Sequence, residues 1–330
     1  MEELQALDHI RLNFSPESLH ALNITLAFIM FGVALEIKLE HFKKLAYNPR
    51  SAFVGVLSQF LALPFLTFVL AILLKDFITP TMALGMILVA ACPGGNISNF
   101  ISSLAKGNVA LSVSLTAIAT VAAVFMTPLN FSVWGKLYTG FLSRTDASQL
   151  VRPLQIDTLQ MFQTVFIILG IPLILGIFVN NRWHGFAKRI VKPFKKFSIL
   201  AFIAIVVMAF VKNFDHFLKV IEYIFFIVLI HNALALTTGY YLAKIFKRPR
   251  VDRKTISIET GIQNSGLALV LIFNPKIFPP ELELGGMAII AAWWGIWHII
   301  AGLFMAGVWT KFTFGLTGNV STGDKIKNAA

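Results

Sequence analysis

The sequence predicts an all-α polytopic membrane protein with about nine transmembrane helices, and three observations carry that prediction. Hydrophobic residues fill 57% of the 330 positions and charged residues only 13%, against roughly 25% charged in an average soluble domain. A soluble chain of this size still has to cover itself with polar groups, so lipid must be the solvent for most of this surface. The apolar residues form continuous runs near the length of about 20 residues that a helix needs to cross a hydrocarbon core of about 30 Å, not the alternating runs of an outer-membrane barrel. Basic residues, finally, crowd into every second loop.

Residues 1–18 form an acidic stub in which Glu2, Glu3, Asp8 and Glu17 face only Arg11. That charge is wrong for the start of a secretory signal, so no cleaved leader is expected. The apolar runs follow as segments A (19–37), B (51–74), C (82–105), D (109–134), E (158–180), F (197–212), G (220–243), H (255–274) and I (285–310). Residues 135–157 read as a connecting loop and 311–330 as a tail.

Cytoplasmic loops collect Lys and Arg. The A–B loop holds Lys38, Lys43, Lys44 and Arg50; the E–F loop holds Arg182, Lys188, Arg189, Lys192, Lys195 and Lys196; the G–H loop runs from Lys244 to Lys254. With Lys106 and the tail residues Lys311, Lys325 and Lys327, 20 of the 28 basic residues fall on one side. The alternate loops are balanced, as in Lys75 beside Asp76, Lys212 and Lys219 around Asp215, and Lys276 with Glu281 and Glu283. An odd number of crossings follows, with the N-terminus outside and the tail cytoplasmic, in a multi-pass protein of the cell (inner) membrane.

The net charge of +12 lies in these short runs rather than on one amphipathic face, which argues against a nucleic-acid partner. The single Cys92 sits in an apolar stretch, where it excludes an internal disulfide and reads as a small packing residue. An intramembrane enzyme would need a nucleophile with a base, or a metal cluster; neither HExxH nor GxSxG occurs. No enzyme is expected.

SQFLALPF in segment B echoes HNALALTTGY in G, and PGGNISN in C echoes TGIQNSG in H. A five-helix unit whose first copy lacks its opening helix aligns both pairs, giving a first repeat over 19–134 with four helices and a second over 158–310 with five. An odd-numbered unit repeated in tandem inserts upside down, the inverted-repeat plan of many secondary carriers.

Two segments carry polar interruptions, that of C at what should be mid-membrane. Segment C carries Pro93-Gly94-Gly95-Asn96-Ile97-Ser98-Asn99, where Pro removes a donor and paired Gly lets the chain leave helical geometry. Unwound backbone survives there only when buried in protein or lining a wet cavity. Segment H carries Glu259-Thr260-Gly261-Ile262-Gln263-Asn264-Ser265-Gly266. A carboxylate inside a membrane helix marks an ion or proton path; the alternative is a surface Glu259 paired with Lys254 or Arg253. Ser112 and Thr116 share one face of D, either as ligands or as hydroxyls bonded back to their own helix. Gln59 in B reads as a ligand or as a link between helices. These groups form an all-oxygen set with one carboxylate, which suits a monovalent hard cation better than Ca²⁺ or Mg²⁺. The half-helices starting near Gly95–Asn96 and Asn264–Ser265 present N-terminal amides and positive dipole ends, which favour an anion. His298 reads as a proton relay or an interhelical hydrogen bond.

IMFGVAL, SQF, CPGGNISN, AKGNVALSVSLT, the HN pair in G, ETGIQNSGLA and the pair Trp297-His298 together resemble the bile acid:sodium symporter family from about residue 20 to about residue 310. The resemblance implies a core bundle and a panel of helices, two broken helices that cross, and two sodium ions. The first sodium would be held by Ser98, Asn99, Ser112, Thr116 and Glu259. The second would be held by Gln59, Glu259 and Gln263 with the carbonyls of Thr260 and Ile262. Substrate would meet Gly95, Asn96, Asn264, Ser265 and His298. Where some bacterial relatives read WHN, this chain has Ile299 after His298, and the family also includes carriers of small carboxylates such as pantoate and pyruvate.

The expected function is therefore sodium-coupled symport of a small organic anion, bile-acid-like or a small carboxylate, by alternating access. A sodium-independent or proton-coupled anion carrier, or a channel or sensor on the same scaffold, is the alternative.

Overall fold

Caps and breaks in the chain set the order of its helices. The computed structural model describes residues 16–37, 49–144, 158–211, 214–274, 276–278, 282 and 284–311. Among these the architecture is all-helical: α1 Pro16–Ala34, α2 Pro49–Leu73, α3a Pro80–Ala91 and α3b Ile97–Leu104, α4 Val109–Leu142, α5 Thr158–Arg182, α6 His184–Val211, α7 Phe214–Ile245, α8a Arg250–Gly261 and α8b Ser265–Ile272, and α9 Gly285–Thr310. Each predicted apolar segment lies on one of these helices. Among the described residues five stretches are long and apolar enough to cross a membrane: Pro49–Leu73, Val109–Leu142, Thr158–Arg182, Ile221–Ile245 and Gly285–Thr310. The breaks leave segments C and H as halves of 12 and 8 residues each, too short to span singly. The acidic stub lies outside the described residues except for its last three positions.

Three boundaries differ from expectation. The basic run expected as the E–F loop is helical, because α6 starts at His184 and only Trp183 separates it from α5. Its Lys and Arg residues lower local hydropathy without disfavouring helix, since long basic stems extend their charges toward water. Helix α4 runs on to Leu142, into what reads as a connecting loop. Helix α7 begins at Phe214, so Asp215 and Lys219 are helical rather than loop residues.

Helix α1 packs against α5 and α6, while α2, α3, α4, α7, α8 and α9 pack on one another. The two groups meet chiefly where α4 lies on α5. The apolar centre of the larger group is α3a, whose Met82–Ala91 stretch is wholly buried against α4 and α9. Polar side chains start the helices: Thr79 caps α3a through Met82 N–H, Asn108 caps α4 through Leu111 N–H, and Asn264 caps α8b through Leu267 N–H. Helix α2 contains a π-turn at Ser58–Ala62, two residues before Pro64, where an extra residue enters the helix and local hydrogen bonding is rearranged.

Candidate functional site

Both interruptions are real breaks, and they meet. Helix α3a ends at Ala91 and Cys92 turns extended, with ψ 159°. Helix α8a ends at Gly261, where Ile262 has φ −111° and ψ 91°. Gly94 and Gln263 form an antiparallel bridge. Gly95 N–H donates to the carbonyl of Ile262 at 2.7 Å, and Asn264 N–H donates to that of Pro93 at 2.8 Å. Each break thus supplies the hydrogen bonds that the other has lost by leaving the helix, which is what allows unwound backbone at this depth.

Glu259 lies in the last turn of α8a, directly behind this crossing, with 0% exposure. Its carboxylate accepts from Ser98 Oγ on α3b at 2.5 Å and from Ser112 Oγ on α4. Thr116 Oγ1 lies 3.2 and 3.1 Å from the two carboxylate oxygens, 3.3 Å from Asn99 Oδ1 and 3.1 Å from the carbonyl of Ser112. Thr116 therefore bonds back to its own helix and also reaches the carboxylate. Ser102 Oγ joins the cluster, lying 3.2 Å from Ser112 Oγ. The surface alternative for Glu259 is excluded: Lys254 Nζ donates to the carbonyl of Ala105 and Arg253 Nε to that of Arg248.

The register that brings these groups together is pinned at the other end of α8a. Asp252 accepts from Ser51 Oγ at 2.6 Å and from Asn108 Nδ2 at 2.8 Å, while Asn108 N–H donates to Thr255 Oγ1 at 2.8 Å. Asn108, Ser112 and Thr116 follow one another at every fourth position of α4, facing Asp252, Thr255 and Glu259 on α8a. One polar seam between two helices therefore aligns the hydroxyls with the carboxylate.

Gln59 Nε2 donates to the backbone carbonyl of Glu259 at 2.8 Å and Gln263 Nε2 donates to the carbonyl of Thr260 at 2.8 Å. Gln59 thus does link helices, as the simpler reading of the sequence holds. The side-chain oxygens of both glutamines are buried without a hydrogen-bond partner among the described residues. Ser58 Oγ lies 2.8 Å from Thr260 Oγ1, and Asn232 Nδ2 on α7 donates to the carbonyl of Gly261 at 2.7 Å. Ser58, Ser102 and Asn232 are site neighbours that the sequence reading did not single out. Their one visible signal is position: Ser58 precedes Gln59, Ser102 follows Ser98 by one turn, and Asn232 belongs to the HN pair.

In front of the crossing, Gly95, Asn96 and Asn264 are partly buried and Ser265 is buried. Asn264 spends its side-chain oxygen on the cap of α8b at 3.0 Å. Gly295 of α9 stands so close to this point that a Cβ there would lie 2.7 Å from Ser265 Oγ. His298, three residues on, is buried and its Nδ1 has no hydrogen-bond partner. An interhelical bond through that atom is not present among the described residues. Cys92 is buried and unpaired, as a packing residue should be.

The buried oxygens fit a hard monovalent cation: one carboxylate, hydroxyls from two helices, and two amide oxygens lacking partners. No group of three His, Cys, Asp or Glu occurs among the described residues to suit a transition metal.

The sequence pattern of the Sodium Bile acid symporter family matches residues 23–220. The chain is 31% identical over 293 residues to the uncharacterized sodium-dependent transporter YocS of Bacillus subtilis, covering 88% of this chain and 83% of that one. It is 32% identical over 282 residues to the probable chloroplastic sodium/metabolite cotransporter BASS2 of Oryza sativa subsp. japonica, covering 82% of this chain and 63% of that one. It is 29% identical over 287 residues to the ileal sodium/bile acid cotransporter of Oryctolagus cuniculus, covering 84% and 78%.

Proposed function

The chain belongs to the Sodium Bile acid symporter family, a family of multi-pass membrane transporters coupled to sodium, and from that premise we propose that it carries a small organic anion inward with two sodium ions by alternating access. The observation that carries the reading is Glu259, a fully buried carboxylate held by hydroxyls from α3b and α4 behind the crossing of two broken helices. A carboxylate at such depth costs several kcal/mol unless it is compensated, and a bound cation compensates it more completely than neutral hydroxyls do.

The first sodium is assigned to Ser98, Asn99, Ser112, Thr116 and Glu259. Each hydroxyl that donates to the carboxylate has lone pairs to offer, so a rotation of its hydrogen turns it from donor to ligand. The second is assigned to Gln59, Glu259 and Gln263 with the carbonyls of Thr260 and Ile262. The partnerless oxygens Gln59 Oε1 and Gln263 Oε1 support this, and each carbonyl keeps a second lone pair beside the hydrogen bond it already accepts. One carboxylate shared by both sites couples them: filling one lowers its charge and orients it toward the other.

The anion is assigned to the front of the crossing, at Gly95, Asn96, Asn264 and Ser265, with His298 beside them. Neither break contains Arg or Lys, so the attraction comes from the N-terminal ends of α3b and α8b and from the cations behind them. Bile-acid-like molecules and small carboxylates are the proposed substrate class. The antiparallel pairing of the breaks supports an inverted repeat over 19–134 and 158–310, and the loop charges support an outside N-terminus and a cytoplasmic tail in the cell membrane.

Thermal unfolding of the purified protein against a panel of organic anions, in sodium and in choline, tests the reading, because a ligand of the folded state raises its apparent stability. An anion that stabilises strongly only with sodium is expected, with reciprocal tightening of sodium by the anion. Equal stabilisation in both salts would leave a sodium-independent carrier as the better description.

A further inference from the structure

Three consecutive carbonyls end α8a, and each is capped by a side-chain amide. Gln59 Nε2 donates to Glu259, Gln263 Nε2 to Thr260 and Asn232 Nδ2 to Gly261, at 2.8, 2.8 and 2.7 Å. The last carbonyls of a helix need donors, so the caps themselves are ordinary. The other end of each amide is not. Of an amide's two ends only the N–H can donate to a carbonyl, so the backbone partner fixes which amide atom is nitrogen and which way the oxygen points. All three residues are 0% exposed, and Gln59 Oε1, Gln263 Oε1 and Asn232 Oδ1 all lack a hydrogen-bond partner among the described residues. Buried polar atoms are paired as a rule, and an unpaired one calls for a bound water, an ion or a functional role.

Two of these three oxygens belong to residues assigned above to the second sodium. We infer that Asn232 is the third amide ligand of the same cation, an inference that rests on the proposed sodium sites and extends them to α7. Helix α7 is held close enough for this: Ser257 Oγ donates to the carbonyl of Leu236 at 2.7 Å, and a Cβ on Gly239 would lie 2.6 Å from the carbonyl of Ile256. Gln59 approaches from α2 and Asn232 from α7, so the ion joins two helices to the end of a third. Neutral amide and carbonyl oxygens beside one shared carboxylate keep the site's charge low, which selects a monovalent ion over a divalent one.

The test separates the oxygen from the donor. Purified full-length protein is unfolded thermally over a range of sodium chloride, with choline chloride keeping ionic strength constant. Asn232→Ala removes both atoms and is expected to weaken sodium by about 10- to 100-fold, the range for groups supporting a metal site. Asn232→Asp keeps an oxygen in place but cannot donate to Gly261; it is expected to unfold earlier in choline yet to keep or raise its response to sodium. If Asp loses the sodium response as fully as Ala, the cap is the whole role and the inference is overturned. Wild type unresponsive to sodium would instead sink the proposed function itself. Should neither variant fold, a structure of the wild type in sodium decides: an ion in direct contact with Asn232 Oδ1 supports the inference, and one bound by Gln59 and Gln263 alone overturns it.

Discussion

Gly94 and Gln263 face each other in a single antiparallel bridge, and that pairing makes the two broken helices one backbone unit. It also leaves no room on one side. A Cβ on Gly94 would lie 2.8 Å from Gln59 Nε2 and 3.2 Å from both the carbonyl and Oε2 of Glu259. On neighbouring Gly95 the nearest atom, the carbonyl oxygen of Gln263, would be 3.4 Å away.

Gly94→Ala is therefore expected to weaken sodium binding by the amount that overpacking costs, about 1–3 kcal/mol or roughly 5- to 150-fold. Gly95→Ala should bind sodium like the wild type. Calorimetric titration of both variants checks the contrast, and equal losses would contradict it.

Glu259→Gln keeps the size of the side chain and removes its charge. The hydroxyls of Ser98, Ser112 and Thr116 can accept as well as donate, so the variant should insert and fold. Its sodium affinity should fall on the order of 100-fold or more, since a hydrogen bond to a charged group alone accounts for about 1.5–3 kcal/mol. Unchanged binding by calorimetry would remove Glu259 from both ion sites.

Asn264 has one observed and one proposed role, and substitutions can part them. Its oxygen caps α8b, which leaves its amide hydrogens to donate to the proposed substrate. Asn264→Ala should lose about 1 kcal/mol of stability with the cap and weaken anion binding by roughly 10- to 150-fold. Asn264→Asp should recover the stability, because Asp caps as well as Asn, and still bind the anion poorly. Recovery of both properties in the Asp variant would show that only the cap matters.

Much of the candidate site was legible in the sequence because it combines a carboxylate, rare in membrane helices, with runs of Pro, Gly and amide residues that interrupt a helix. Pro93-Gly94-Gly95 announces a break, and Glu259 beside Gly261 and Gln263 announces another. Hydroxyls were harder to read: Ser58 and Ser102 look like any Ser that bonds to its own helix, and only the fold puts them against Thr260 and Ser112. Asn232 was visible only as half of an HN pair, since its value lies in meeting a carbonyl 29 residues away. The π-turn at Ser58–Ala62 is a backbone register shift with no composition of its own. The start of α6 was hidden because hydropathy measures the affinity of a segment for lipid, whereas His184–Lys196 is a polar segment that is nonetheless helical.

Orientation can be checked at described, exposed positions. In a Cys92→Ser background, Asp76→Cys between α2 and α3a should react with an impermeant thiol reagent added outside, and Arg250→Cys at the start of α8a should not. Cys92 itself is buried, so its replacement removes background without opening a surface. The reverse labelling pattern would invert the topology.

The crossing carries one carboxylate and, in either break, no basic residue. On the proposed stoichiometry, two sodium ions and a monoanion bring that single negative charge to zero, while the emptied crossing returns with a charge of minus one. Membrane voltage then does little work on the loaded step. It acts on the return of the empty protein, drawing the negative crossing outward when the cell interior is negative. One elementary charge moved through 100 mV is worth about 2.3 kcal/mol, or close to fiftyfold in accumulation. On that proposal, sharing Glu259 between two ions would make the resetting of the empty carrier the electrically driven half of its cycle.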